Sequence, residues 1–228
     1  YDLLFGSDGA FSASRLSMQL SNDRFEYNQH YIDCGYKELI IPPGPNGKFL
    51  LEKNALHIWP RGSFMMIALP NPAGDFTCTL FMPYEQFDSV KTDEEIHNFF
   101  STEFPDAMAM MPTLVEDYKR NPIGNLVTVK CYPWVKEDKL ALAGDAAHAV
   151  VPFYGQGMNC SFEDIVVLDN MIEKYGDDWN TIFDEYQKER KPNADAIADL
   201  AVQNYYEMAD KVGDKHFLHK KHIEHDLT

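Results

Sequence analysis

Apolar and polar positions repeat with two different periods along this chain, and the changes of period divide it into segments. Residues 1–6 are a short apolar run ending at Gly6-Ser7-Asp8-Gly9, which predicts a strand followed by a tight turn. Helical spacing then runs from Ser12 through Leu20. Between Tyr31 and Met82 the pattern becomes that of strands. Residues 36–41, 55–59, 64–69 and 76–82 are rich in aromatic and β-branched side chains, and Pro/Gly/Asn clusters at 43–47 and 71–75 separate them. The last two strands form a hairpin. Met65, Ile67 and Leu69 lie on one face of it and Met66 and Ala68 on the other, so the sheet is expected to be covered on both sides.

Thr92-Asp93-Glu94-Glu95 has the form of a capping box and starts a helix expected to reach Phe104. Strands return at 126–132 and 140–143. Helical spacing resumes at 159–174 and again at 192–212, where Pro192 is expected in the first turn. The order is strand–helix, antiparallel sheet, strand–helix, helical tail. It predicts a mixed α/β (α+β) fold, in which an antiparallel sheet is inserted into an α/β domain. The expected divisions are 1–22 and 126–176 for the α/β domain, 23–125 for the sheet, and 177–228 for a C-terminal helical segment.

Composition narrows the function classes. The 228 residues are 45% hydrophobic and carry 36 acidic against 20 basic side chains, a formal charge of −16. Such a field repels phosphate backbones and anionic bilayers, which argues against nucleic-acid binding. Four widely spaced cysteines (Cys34, Cys78, Cys131, Cys160) match no metal pattern and read as reduced core thiols. His216, His219, His222 and His225 are three residues apart; each step turns a helix by about 300°, so the rings spiral instead of sharing a face, and no metal site is expected. No apolar run approaches the roughly 20 residues that span a bilayer. The sequence opens without Met, in Tyr1-Asp2-Leu3-Leu4-Phe5, and is expected to be a piece of a longer protein.

Two segments carry the chemistry. In the first, an apolar strand at 140–143 delivers Gly144-Asp145 to its carboxyl end, where open α/β sheets bind ligands; Ala146-Ala147-His148 follows. A carboxylate there can accept hydrogen bonds from hydroxyl groups. Downstream, in Pro152-Phe153-Tyr154-Gly155-Gln156-Gly157-Met158-Asn159, two glycines remove side chains so that backbone can approach a flat ring closely. It then opens a helix whose first amides and dipole favour negative charge. The second segment, Gly6-Ser7-Asp8-Gly9, is by itself an ordinary turn. Paired with the Gly-Asp string across an inserted sheet, it resembles the Asp-Gly motif of single-component FAD-dependent aromatic hydroxylases.

The strings Leu56-His57-Ile58-Trp59-Pro60-Arg61, Phe64-Met65-Met66-Ile67-Ala68-Leu69-Pro70-Asn71 and 76–83, together with the Pro152 to Asn159 string, sharpen this to a resemblance to the kynurenine 3-monooxygenases over residues 1–212. The resemblance implies an FAD domain of the flavin-hydroxylase type. It implies hydroxylation of L-kynurenine to 3-hydroxykynurenine with FAD, NADPH and O₂, through a C4a-hydroperoxyflavin. It puts the cofactor on Asp8, Asp145, Gly155, Gly157, Met158 and Asn159. It puts the substrate on Leu56, Met65, Ile67, Leu69, Thr79 and Phe81, with Pro152, Phe153 and Gln156 beside the flavin and Asn204 and Glu207 toward the amino-acid end. No side chain is expected to act as a general base, and His148 is expected to satisfy backbone instead.

No Gly-x-Gly-x-x-Gly follows any strand, so a seat for the FAD adenosine is missing from these residues, and the chain alone is expected to be inactive. The resemblance also implies a cytoplasmic protein in a bacterium, or one held at the mitochondrial outer membrane in a eukaryote. Two other readings stand beside it. One is another flavin aromatic hydroxylase of the same fold; the other is a flavin-fold binding module without redox activity.

Overall fold

The computed structural model describes residues 2–21 and 24–209. The tail histidines and the end of the helix expected to reach 212 lie outside them. The fold is mixed α/β, and the elements follow in this order. β1 is Leu4–Gly6, α1 is Ala13–Ser21, β2 is Glu26–Ile41, β3 is His57–Pro60, β4 is Met65–Pro70 and β5 is Phe76–Met82. Four helices come next: α2 (Tyr84–Asp88), α3 (Asp93–Glu103), α4 (Pro105–Met108) and α5 (Leu114–Arg120). Then come β6 (Gly124–Tyr132), β7 (Val135–Lys136), β8 (Leu140–Leu142), α6 (Asp145–His148), α7 (Gly157–Tyr175) and α8 (Trp179–Ala209). Two compact units result. One combines Tyr1–Tyr31 with Leu126–Tyr205; the other is Ile32–Asn125 and the described helix end from Tyr206. Most of α8 therefore belongs to the first unit instead of standing as a separate segment.

In the first unit, β1 runs parallel to β8 and β7 pairs antiparallel with β8, giving the order β1-β8-β7. The core around them is made by Met18, Trp134, Leu142, Val167, Leu168, Phe183 and Tyr186, among others. Along α7 the buried positions are Cys160, Asp164, Val167 and Leu168, the spacing of one helical face.

Pro192 is not in a first turn: it sits inside the 31-residue α8. An interior proline costs a helix about 3 kcal/mol because it removes one amide donor and crowds the preceding turn. Packing overrides that cost here. Ile182, Phe183, Tyr186 and Arg190 before the proline, and Ala194, Ala198 and Ala201 after it, form one continuous buried stripe.

In the second unit, four strands lie in the order β3-β4-β5-β2, all antiparallel. Their register sets Met65 opposite Phe81 and Ile67 opposite Thr79. One face bears Leu39, Ile41, Met66, Ala68, Cys78, Leu80 and Met82, all buried against Phe87, Ile96, Phe100, Phe104 and Tyr118 from the helices. The capping box at Thr92 is formed: its side chain accepts from Glu95 N at 3.2 Å, and the Glu95 carboxylate accepts from Thr92 N at 2.9 Å. The opposite face is only partly covered. Met65 and Phe81 are buried, Ile67 and Thr79 half-buried, and Leu69 is 48% exposed. Coverage on both sides thus holds at one end of the hairpin only. No helix among the described residues is long and apolar enough to cross a membrane.

This difference between faces is measurable. Phe100→Ala, at a fully buried ring, is expected to cost about 3–5 kcal/mol in chemical denaturation. Leu69→Ala is expected to cost under about 1 kcal/mol, because half its surface is already in water. Equal losses would mean that the two faces are packed alike.

Candidate functional site: a glycine-lined cleft at the start of α7

The paired strands β1 and β8 end side by side, with Ala143 N donating to Gly6 O at 3.0 Å. Gly6 is obligatory for that closeness: a Cβ there would lie 2.7 Å from Ser14 Cβ and 2.9 Å from the Leu142 side chain. After β8 the chain turns at Gly144, with φ 60° and ψ −147°, a conformation open essentially to glycine alone. α6 follows, then a single 3₁₀ turn at Pro152–Tyr154, and Gly155 with φ 66° swings the chain into α7 at Gly157.

These turns enclose a cleft of about 740 Å³. Two stretches of chain line it: Ser7, Gly9, Gly144 and Asp145 from beyond the ends of β1 and β8, and Pro152, Gly155, Gly157, Met158, Ser161 and Phe162, among others, from the turn into α7 and its first turns. No side chain caps the start of α7. The amides of its first turn and the positive end of its dipole are therefore available to a negatively charged group in the cleft. A Cβ on Gly157 would press on Val150 at 3.3 Å, so backbone, not side chain, forms that wall.

Of the residues expected to hold a cofactor, Asp145, Gly155, Gly157 and Met158 line this cleft. The Asn159 side chain does not; its Nδ2 donates to Gln156 Oε1 at 3.0 Å on the same turn, which leaves its backbone amide uncommitted by that bond. Asp8 is committed to its own loop. Its carboxylate accepts from Ser12 Oγ at 2.5 Å and from Ser14 N at 2.9 Å. Partial burial favours the neutral acid, but those hydrogen bonds outweigh it and lower the pKa to about 2. Asp8 thereby shapes the turn that brings Ser7 and Gly9 to the cleft.

Arg15 fixes the same turn from beneath. Buried, it donates to Ala146 O at 2.7 Å and to Ala10 O at 2.5 Å. Behind the cleft, Asp164 Oδ2 accepts from Gly144 N at 2.8 Å and from His148 Nε2 at 2.6 Å, while Oδ1 accepts from Arg190 Nε at 2.8 Å. Burial works against a charged His148, yet the bond to Asp164 prevails and lifts its pKa to about 9. Burial likewise opposes the Asp164 carboxylate, and its donors His148, Arg190 and Gly144 N bring its pKa below the usual value.

The residues expected to meet a substrate fall in two groups. In the second unit, Met65, Ile67, Leu69, Thr79 and Phe81 share one sheet face by register, as a common wall requires. Leu56 precedes β3 and is 47% exposed. In the first unit, Phe153 is buried, its ring 4.7 Å from that of Tyr205, and its carbonyl accepts from Asn204 Nδ2. Pro152 is exposed beside the cleft and Gln156 half-buried. Glu207, on the end of α8 that belongs to the second unit, is half-buried.

The FAD binding domain family matches residues 2–201. The chain belongs to that family. Kynurenine 3-monooxygenase of Flavobacterium johnsoniae is 55% identical over 227 residues, 98% of this chain and 51% of that protein. The enzymes of that name from Dictyostelium discoideum and Sus scrofa are 53% and 45% identical, matching 98% and 99% of this chain and 52% and 48% of their own lengths. The chain spans about half the length of these relatives. Among solved structures, Klebsiella pneumoniae HpxO complexed with FAD superposes with a TM-score of 0.74 at 19% identity, covering 98% of this chain and 56% of that one. A 2-methyl-3-hydroxypyridine-5-carboxylic acid oxygenase gives 0.72 at 21%, covering 94% and 56%. These two share the fold.

Within an FAD-binding-domain protein the cleft fits the ring end of FAD. Its glycine walls admit a flat ring, its volume lies in the range of small-molecule sites, and the uncapped α7 amides suit a ring that gains negative charge on reduction. Sequence reading missed Arg15, Asp164 and Arg190, whose partners are far away in the chain. It also missed Tyr36, Ile58 and Thr77, which the register sets on the face of Phe81, Ile67 and Leu69. Extending the alternation from β4 into its neighbouring strands would have found those three.

The raised His148 pKa has a definite sign. A histidine favoured as the cation by folding contributes stability in full below its unfolded value of 6.5, and that stability is lost as pH rises through about 9. Thermal melts between pH 6.5 and 10 are expected to show a decline on the order of 3 kcal/mol at most. In His148→Gln that decline should vanish; an identical decline in the variant would assign it to another group.

Proposed function

We propose that this chain supplies the flavin-ring and aromatic-substrate portions of an FAD- and NADPH-dependent L-kynurenine 3-monooxygenase. The observation that carries the reading is the uncapped start of α7 opening on a glycine-walled cleft, in a chain 45–55% identical to enzymes of that name. FAD, when bound, supplies the redox chemistry that couples NADPH and O₂ to hydroxylation of the aromatic ring. The residues of this chain hold and orient. The amides of Gly157, Met158 and Asn159 stabilise negative charge on the ring system, and Asp145 accepts hydrogen bonds from ribityl hydroxyls.

Met65, Ile67, Leu69 and Phe81 offer an apolar wall that orients the kynurenine ring and keeps water away from the reacting carbon. Leu56 and Thr79 extend that wall. Pro152, Phe153 and Gln156 stand at the flavin end, and Asn204 and Glu207 serve the amino-acid end. An aryl amine already activates its ortho carbon, so no base is required. His148, buried and bonded to Asp164, is not placed to act as one.

Turnover and flavin content test the reading. A polypeptide that adds the part of the relatives' length not spanned here should be yellow and should oxidise NADPH faster when kynurenine is present. Phe81→Ala in it should raise the KM for kynurenine at least tenfold and divert more NADPH to H₂O₂. The 228-residue chain alone should show no kynurenine-dependent turnover. Stimulation by phenol or benzoate equal to that by kynurenine would favour another flavin hydroxylase; no flavin at all would favour a binding module.

A further inference from the structure

Three ionisable side chains lie together out of water behind the cleft: Asp164 is 0% exposed, Arg190 1% and His148 2%. Taking charges out of water is costly, and apolar packing of the same volume often serves stability as well. What sets this cluster apart is which backbone groups it binds. Asp164 receives the amide of Gly144, the residue before Asp145 on one wall. Arg190 Nη2 donates to Cys160 O at 3.1 Å, at the end of the first turn of α7 on the other wall. Asp164 and Arg190 are joined to each other at 2.8 Å, and His148, closing α6, donates to the same Asp164 oxygen that holds Gly144. Arg190 Nη1 also reaches Glu163 at 2.6 Å.

We propose that Asp164, Arg190 and His148 are positioning residues for the flavin ring, fixing the Gly144–Asp145 turn against the first-turn amides of α7. The inference rests on the flavin reading of the cleft and says what that reading lacks, namely what holds the two walls at a set spacing. Donors fixed before the ligand arrives need no reorganisation when it binds, and the bound ring gains the full interaction. Asp164 of α7 ties the Gly144 turn to that helix directly, and the Arg190 guanidinium on α8 braces both this carboxylate and the Cys160 carbonyl, which gives a buried arginine a role.

FMN, the portion of FAD that carries the ring, is the probe, and quenching of its fluorescence by the 228-residue chain gives the affinity. Asp164→Asn, which keeps shape and an acceptor for Gly144 N but loses the charge, should weaken FMN binding at least tenfold. Arg190→Lys, which cannot bridge Asp164 and Cys160 together, should do the same. Phe100→Ala in the second unit lowers the melting temperature without touching the cleft and should leave FMN affinity within twofold.

A pH profile separates positioning from general destabilisation. The groups facing His148 are Asp164 and Cys160 on α7, with the Trp134 ring tilted against it at 5.0 Å. Close by are Arg190 and Tyr186 on α8 and Cys131 on β6, whose thiol meets Ala147 O. Wild-type affinity should be flat from pH 6.5 to 8 and fall toward pH 9, while His148→Gln should bind more weakly with a flat profile. Wild-type binding that Asp164→Asn and Arg190→Lys leave unchanged, or reduce no more than Phe100→Ala does, would overturn this inference alone. A wild-type chain that binds no FMN would overturn the flavin reading and the inference with it.

Discussion

A carboxylate that cannot reach water has to be surrounded by donors, and Asp164 shows what that requirement imposes on a fold. Its two oxygens receive a guanidinium, an imidazole and a backbone amide, each from a different element. α8 has to bring Arg190 to it, α6 has to end at His148, and the turn after β8 has to present Gly144 N. That turn in turn needs glycine, because its φ of 60° with ψ of −147° is closed to other residues. Much of the first unit is arranged to keep one buried negative charge satisfied, and the cleft lies on the outer side of that arrangement.

The second unit follows a different rule. Its sheet has one face sealed by α2–α5 and one face that passes from buried at Met65 and Phe81 to exposed at Leu69. The sealed face supplies stability through aromatic packing, including Phe99, Phe100 and Phe104 in mutual ring contact. The other face keeps apolar side chains where burial within the unit does not call for them. Register makes it a single surface: Tyr36, Phe81 and Met65 in one row, Glu38, Thr79 and Ile67 in the next.

What could be read from the sequence was local. The capping box at Thr92, the hairpin from Phe64 to Met82, and the strand that delivers Gly144-Asp145 all depend on neighbours within a few residues, and all appear in the structure. The helix through Pro192 was illegible because its cost is met by a buried stripe whose partners lie elsewhere in the chain. The 16 residues of β2 were only partly legible; its first half carries Glu26, Asn28 and His30, polar positions that mask the strand pattern. In the site, Asp145 and the glycines were legible through the whole ordered string from Leu140 to Asn159, since a glycine pair alone reads as a turn. Asp164 and Arg190, 26 residues apart, look like ordinary surface charges on two helices until the fold brings them to 2.8 Å.

Where a flavin ring sits on this chain is the deciding question. Titrating FMN into isotopically labelled chain and following backbone amide shifts answers this directly. The largest shifts are predicted at Gly144, Gly157, Met158 and Asn159, with the sheet residues around Leu80 unmoved. Shifts confined to the helices of the second unit, or absent from the start of α7 at saturating FMN, would contradict it.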